Sequence, residues 1–363
     1  VIAVRLELRT KPARALAYLV PVLSVVLALV VGGLVLYAAG ANPLDAYWQM
    51  LLGAFGTTHS FSEVLVKATP LMLAGLGVMV AFRVGFWNIG AEGQLYMGAF
   101  GATLVVLQGW QLPGLGFLPT MLLAAVAAGG LWALIPAVLK VRLHTNEILT
   151  TLLLNYIAIL FVGYFLFGPW KDPLTLNFPM TKRFPDAAQL PRFWDTRLHW
   201  GFLVALALAV CFYFLIERTR WGFAITVIGE NARTAAYAGI DVLRTTVIAV
   251  VISGGLAGLA GMVEVAGIQL RLLHGISPPN APYGYTAIIV AWLARKRPLG
   301  VVLVSILLGV LYVGGEALQI GMKLPTAIVL VVQAMILLFI LGGQVLSRYR
   351  VVLLREERAS VSV

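Results

Sequence analysis

Residues 17–39 read AYLVPVLSVVLALVVGGLVLYAA, without one charged side chain. About 20 apolar residues in a helix cross the ~30 Å of hydrocarbon in a bilayer. Arg5, Arg9, Lys11 and Arg14 precede this run, in the manner of a signal peptide's basic head. A cleaved signal has an apolar region of only about 7 to 15 residues, so the run is read as a retained first span.

The same pattern recurs along the chain. Of the 363 residues 61% are hydrophobic and only 11% are charged, and the mean hydropathy is +0.94. A soluble domain carries about 25% charged residues. Only helices and closed barrels satisfy their backbone in lipid. The apolar runs here do not alternate with polar residues, which indicates an all-α polytopic membrane protein. Ten spans are expected, at roughly 17–39, 62–83, 88–108, 119–139, 147–167, 200–216, 245–266, 282–294, 299–316 and 325–346. The eighth is short, and Pro278, Pro279 and Pro282 before it point to broken or re-entrant helices.

With the N-terminus in the cytoplasm, 18 Lys and Arg fall on the inner side and 7 on the outer side. The excess of Lys and Arg inside orients membrane proteins, so both termini are expected in the cytoplasm. The domain organisation is then a cytoplasmic segment 1–16, one transmembrane domain 17–346 and a cytoplasmic tail 347–363. The net charge of +11 fits basic loops against anionic membrane lipid rather than nucleic acid. Cys211 is the single cysteine, which excludes a disulfide framework and a thiolate metal site.

Two loops are long. The outer loop 168–199 holds five prolines with Trp170 and Trp194. The stretch 43–55, PLDAYWQMLLGAF, is amphipathic and reads as an interfacial helix. The inner loop 217–244 contains a helix that Asn231 can cap and Gly239 can end, with Gly229 read as a break before it. Ala232, Ala235, Ala236 and Gly239 give that helix a small face suited to docking another protein.

No phosphate-binding loop, H-E-x-x-H or G-x-S-x-G is present, so no catalytic residues and no metal ligands are assigned. The four histidines are scattered. A charge at bilayer depth costs at least ~2.5 kcal/mol, which singles out Glu63, Glu92, Glu147, Glu264 and Glu316. Glu63 and Glu147 stand at expected helix starts, where the dipole favours a carboxylate. Glu92 belongs to a polar stretch with Asn88, Gln94, Gly90 and Gly93. The glycines weaken helix there, and an unwound turn at membrane depth must be buried or line a cavity. These polar side chains either line a solute path or hold neighbouring helices together. Residues 253–261, SGGLAGLAG, place Gly254 four before Gly258 and Ala257 four before Gly261, a spacing for close helix packing.

The block Gly85-Phe86-Trp87-Asn88-Ile89-Gly90-Ala91-Glu92-Gly93-Gln94 resembles the characteristic motif of bacterial nucleoside and simple-sugar ABC importer permeases, in the group that includes ribose and branched-chain amino acid permeases. Asn146-Glu147 with Leu154-Asn155-Tyr156, Gly229-Glu230-Asn231 through Gly239-Ile240, Ser253 to Gly258, and Pro298-Leu299-Gly300 match in the same order. Trp87 stands where the family usually has Phe. Ala294-Arg295-Lys296-Arg297 replaces a less basic stretch that contains glycine. The resemblance implies an inward solute path with Trp87, Asn88, Glu92, Gln94 and Asn155 as pathway residues. It implies three partners: a separate ATP-binding subunit carrying ATP-Mg, docked on Gly229, Glu230, Asn231, Ala232, Ala235, Ala236 and Gly239; a second permease; and an extracytoplasmic substrate-binding protein. The alternative is an ion-coupled secondary transporter using Glu92, Glu264 or Lys67, which has no need of the long inner loop.

Overall fold

The computed structural model describes residues 2–8, 14–108, 116–176 and 178–355. The far end of the expected tail 347–363 lies outside the described residues. The helices are α1 (Arg14–Ala38), α2 (Pro43–Phe55), α3 (Thr58–Arg83), α4 (Ala91–Leu107), α5 (Phe117–Leu143), α6 (Glu147–Phe167), α7 (Gly201–Arg218), α8 (Arg220–Glu230), α9 (Ala232–Tyr237), α10 (Val242–Val263), α11 (Tyr283–Leu293), α12 (Pro298–Gly321) and α13 (Thr326–Arg348). Among the described residues seven helices are long and apolar enough to cross a membrane, or eight if the α1–α2 pair, bent by 111°, is one span. The ten expected spans thus include two short helices. α4 has 17 residues and α11 has 11. The polar turn before α4 and the prolines before α11 account for the lost length.

The chain divides into two compact units. The first comprises residues 1–53 and 314–363. Within it α1 packs along α13, and Tyr47 of α2 donates to the Leu29 carbonyl of α1 at 2.7 Å. Here the structure adds a feature that the apolar pattern did not announce. Strands β1 (Ile2–Leu8) and β2 (Tyr349–Arg355) pair antiparallel, from Ile2 opposite Arg355 to Leu8 opposite Tyr349.

The second unit, residues 54–313, contains the sites described below. α3 and α10 are its centre: 89% of the apolar window of α3 is buried, and 78% for the span 242–269, against 28% for α6 and α7. α10 lies against α3, α4 and α5. Its small residues make this possible. A Cβ at Gly254 or Gly258 would overlap α5 at Gly129 and Ala125, and one at Gly261 would overlap the α4 backbone at Leu95. Ala257 is fully buried in the same face. With no hydrophobic force between helices in lipid, such close backbone contact supplies the attraction.

α10 continues into one π-helical turn, Glu264–Gln269, and the chain then leaves the helix at Leu270, whose φ is 56°. The irregular segment expected between the seventh and eighth spans is therefore present, and it opens one turn after Gly261. Glu63 departs from expectation. Thr57 caps α3, so Glu63 sits in the second turn, beyond reach of the helix-end dipole. Its partner is Arg197, bonded through both Nε and Nη2 from 134 residues away. Glu147 does stand in the first turn of α6, and Lys140 Nζ meets it at 2.6 Å.

Candidate functional site

Three structured regions of the second unit hold most of the polar residues singled out from the sequence, whereas Glu316 is exposed on α12 in the first unit. The first is the turn between α3 and α4. α3 ends in a Schellman motif: Gly85 adopts φ 79°, its N–H reaches the Phe82 carbonyl, and the Phe86 N–H reaches the Ala81 carbonyl. The chain then turns through Trp87, Asn88 and Ile89 before α4 begins at Ala91. Glu92 and Gln94 thus lie on helix rather than on the unwound turn, and Gly93 is helical too. A Cβ on Gly93 would stand 2.9 Å from Asn155 of α6, so this glycine permits close approach of two helices instead of loosening one.

Asn88 is fully buried and Gln94 is 1% exposed. Their amides pair reciprocally: Asn88 Nδ2 donates to Gln94 Oε1 at 2.9 Å, and Gln94 Nε2 donates to Asn88 Oδ1 at 3.0 Å. Asn88 also donates to Ser253 Oγ at 2.9 Å and accepts from the Gly90 N–H at 3.0 Å. Both donors and both lone pairs of the Asn88 amide are thereby used. Asn155 does similar work from α6. It accepts from the Gly93 N–H at 2.8 Å and donates to the Ile89 carbonyl at 2.9 Å and to Tyr285 Oη at 3.2 Å. Glu92 accepts from the Gly284 N–H at 2.7 Å. It lies in the first turn of α4 and faces the first turn of α11, so two helix N-termini favour its charge. Gly284 has no room for a side chain because the backbone of Glu92 lies against it. Trp87 stands apart from this network. It is 42% exposed and packs with Phe82 and Trp292, ring centres 5.1 and 5.5 Å away.

The second region is the loop 217–244. Asn231 Oδ1 accepts from the N–H groups of Arg233 and Thr234 at 3.0 and 3.1 Å and so caps α9, and Gly239, at φ 78°, closes α9 with a second Schellman pair. Gly229 does not break the chain. α8 runs through it to Glu230, and the kink falls at Asn231. A Cβ on Gly229 would collide with the Arg83 carbonyl oxygen, and one on Gly85 would touch Gly229 Cα at 3.4 Å. Glycine is needed there for contact, not for flexibility. The small face divides as well: Ala235 is buried, whereas Ala232, Ala236 and Gly239 are exposed beside Tyr237, which is 94% exposed. Arg83, which the motif reading passed over, ties this region to the end of α3. Its guanidinium donates to Glu217 at 2.9 Å, to Thr226 at 3.2 Å and to the Lys296 carbonyl at 2.9 Å. The basic turn after α11 places Arg295 and Lys296 at φ 51° and 57°, where glycine is the usual occupant. Lys296 Nζ also holds the Phe82 carbonyl at 2.9 Å.

The third region is a polar cavity of about 200 Å³ near the start of α7. Lys67, Arg197, Glu264, Gln269, Ser277 and Tyr283 line it among apolar neighbours. The π turn sets two of them side by side, because bonds from i to i+5 bring residues five apart to one face. Gln269 Nε2 lies 3.4 Å from Glu264 Oε1 and donates to the Ile276 carbonyl at 2.8 Å. The sequence singles out Glu264 and Lys67, but only the fold groups them with Gln269, Ser277 and Arg197. Beside the cavity wall, His199 is fully buried, with Nδ1 accepting from the Gly201 N–H at 3.1 Å. Burial, helped by the charge of Arg192, pushes its pKa down to about 4.

Residues 60–341 match the family described as branched-chain amino acid transport system / permease component. The chain is 40% identical to a glucose ABC transporter permease of Haloferax volcanii, over 97% of this chain and 94% of the relative. It is 34% identical to a guanosine ABC transporter permease of Bacillus subtilis, over 89% of this chain and 92% of the relative. It is 29% identical to a nucleoside ABC transporter permease of Lactococcus lactis, over 89% and 90%. The match spans the polar turn, the loop 217–244 and the cavity alike, so a chain whose long apolar helices fit a bilayer belongs to the branched-chain amino acid transport system permease family and is a multi-pass permease subunit of an ABC transporter.

Proposed function

We propose that this permease moves nucleosides or simple sugars inward by alternating access. The observation that carries the proposal is the near full-length similarity to permeases named for glucose, guanosine and nucleosides. The partners are a separate ATP-binding subunit carrying ATP-Mg, a second permease, homologous or identical, and an extracytoplasmic substrate-binding protein. The membrane is the bacterial inner membrane, with both termini in the cytoplasm. Pairing of β1 with β2 supports both ends lying on the same side of the membrane, which requires an even number of crossings.

The inner loop 217–244 is the docking element for the ATP-binding subunit. α9 supports this role: it is capped at both ends and exposes Ala232, Ala236, Tyr237 and Gly239. Gly229 and Ala235 anchor it from beneath, with Glu230 and Asn231 at the joint. A motion of α9 passes through α8 to Arg83 and Gly85, and thence to the turn of Trp87, Asn88, Glu92 and Gln94. In this reading Asn88, Gln94, Glu92 and Asn155 frame the pathway, and Trp87 is the exposed aromatic beside it. ATP shifts the equilibrium only if α9 binds its partner differently in the two states.

Ala236→Arg tests the proposal. The variant inserts into the membrane normally, and the assembled transporter loses ATP-driven uptake of guanosine and glucose. Unaltered uptake with normal ATPase assembly would remove the docking role. Uptake by this chain alone, driven by an ion gradient, would overturn the ABC mechanism.

A further inference from the structure

We infer that the cavity walled by Lys67, Arg197, Glu264 and Gln269 is a solute site that takes the hydroxyl-bearing ring of a neutral sugar or nucleoside. The inference rests on the proposed transport of such solutes and adds the place where they are held.

Charge argues first. The formal charges that reach the cavity balance: Arg197 is matched by Glu63, with which it forms two hydrogen bonds, and Lys67 shares the cavity with Glu264. With no net formal charge, the wall does not favour an anion over a cation. It presents dipoles instead. Gln269 has its amide nitrogen committed to the Ile276 carbonyl and Glu264, while its Oε1 is buried without a hydrogen-bond partner. A buried acceptor without a partner is unfavourable, and a hydroxyl of a bound ring would satisfy it.

Size and place argue next. A volume of about 200 Å³ is below the ~300 Å³ at which pockets for drug-sized ligands begin, and suits a single ring. The cavity opens beside the segment from Gln269 to Tyr283, where helix is interrupted between α10 and α11. Unwound backbone beside a midspan site is how transporters commonly present polar groups to a solute. Arg197 belongs to the loop assigned to the outer side, so the site faces the delivering side of the membrane. Tyr283, next to the Gly284 that bonds Glu92, connects the cavity wall to the polar turn.

The experiment uses the full chain in lipid nanodiscs. Cys211 is exposed and is replaced by alanine, and Ser277→Cys then puts one thiol in the cavity wall. A small cationic methanethiosulfonate labels it, with guanosine, glucose or leucine added. Guanosine or glucose is expected to slow labelling about fivefold at about four times its dissociation constant, as 1 + [L]/Kd, and leucine is expected to leave the rate unchanged. Absence of protection by both hydroxylated solutes overturns the site. Equal or better protection by leucine overturns the solute class. If Ser277→Cys fails to yield monodisperse protein, Ile268→Cys on the same wall gives the same readout. Uptake by the assembled wild-type transporter is measured in parallel. Uptake without protection removes the cavity site and leaves the transport reading standing, whereas no uptake of either solute removes the transport reading itself.

Discussion

The side-chain amides of Asn88 and Gln94 hydrogen-bond each other in both directions, at 2.9 and 3.0 Å, in a fully buried position. The pair closes the turn that leads into α4, and Ser253 fastens it to α10.

Removing one amide strands the other. Asn88→Leu leaves the Gln94 amide and the Gly90 N–H without partners, each unmade bond costing about 1–3 kcal/mol. Gln94→Leu strands one donor and one acceptor of Asn88. The double substitution takes both amides away together, so its loss is expected to fall short of the summed single losses by about 1–3 kcal/mol. Thermal unfolding of the four proteins in detergent checks this, and additive losses would show that the pair is not coupled.

Gly229→Ala should destabilise the protein, against the ordinary trend. Alanine in a helix interior normally stabilises by about 0.5–1 kcal/mol relative to glycine. Here its Cβ meets the Arg83 carbonyl, whereas a Cβ on Gly163 of α6 meets nothing within 4 Å. Gly229→Ala is therefore expected to lower the melting temperature and to weaken ATP-coupled uptake, with Gly163→Ala neutral or stabilising. The same sign for both would mean that α8 does not rest on the end of α3.

Arg295→Gly should raise stability. A left-handed conformation costs a non-glycine residue about 1–2 kcal/mol, and Arg295 occupies one at φ 51°. Part of the gain is lost to the greater freedom of glycine in the unfolded chain. A net gain of about 0.5–1 kcal/mol is expected, read as a higher melting temperature with the Arg83–Lys296 bond intact. A lower one would assign Arg295 a stabilising contact.

Acid should loosen the loop 168–199 through His199. Its folded pKa is lowered to about 4 from 6.5, so the folded state holds the neutral ring. Its contribution is complete above pH about 6.5 and is lost as pH falls toward 4, by up to about 3 kcal/mol over the full range. Between pH 7.5 and 5 the wild type should lose more thermal stability than His199→Asn. Equal losses would mean that this ring titrates normally.

The bilayer crossings and the small-residue packing of α10 were legible because lipid restricts composition and spacing locally. The Asn231 cap and the Gly239 stop were legible for the same reason: both act within one turn of helix. Gly229 was misread because its constraint, the Arg83 carbonyl, is distant in sequence, and a glycine viewed locally signals a break. Glu63 was misassigned in the same way, since Arg197 lies 134 residues away. The cavity was hidden for a different reason: its wall needs a π turn to set Glu264 beside Gln269, and neither periodicity nor capping rules announce an extra residue in a turn.

Gly85 and Gly229 bring backbone onto backbone, and this has a mechanical consequence. Side chains absorb displacement by turning through their torsions; two chains in contact through glycine have none to turn. A push on α8 therefore reaches the end of α3 as translation, without slack. The compliance needed for a transport cycle must reside elsewhere, and α2, set at 111° to α1, or the π turn after α10 offers a softer joint. The glycine junction is the stiff joint, and the bends are the softer ones.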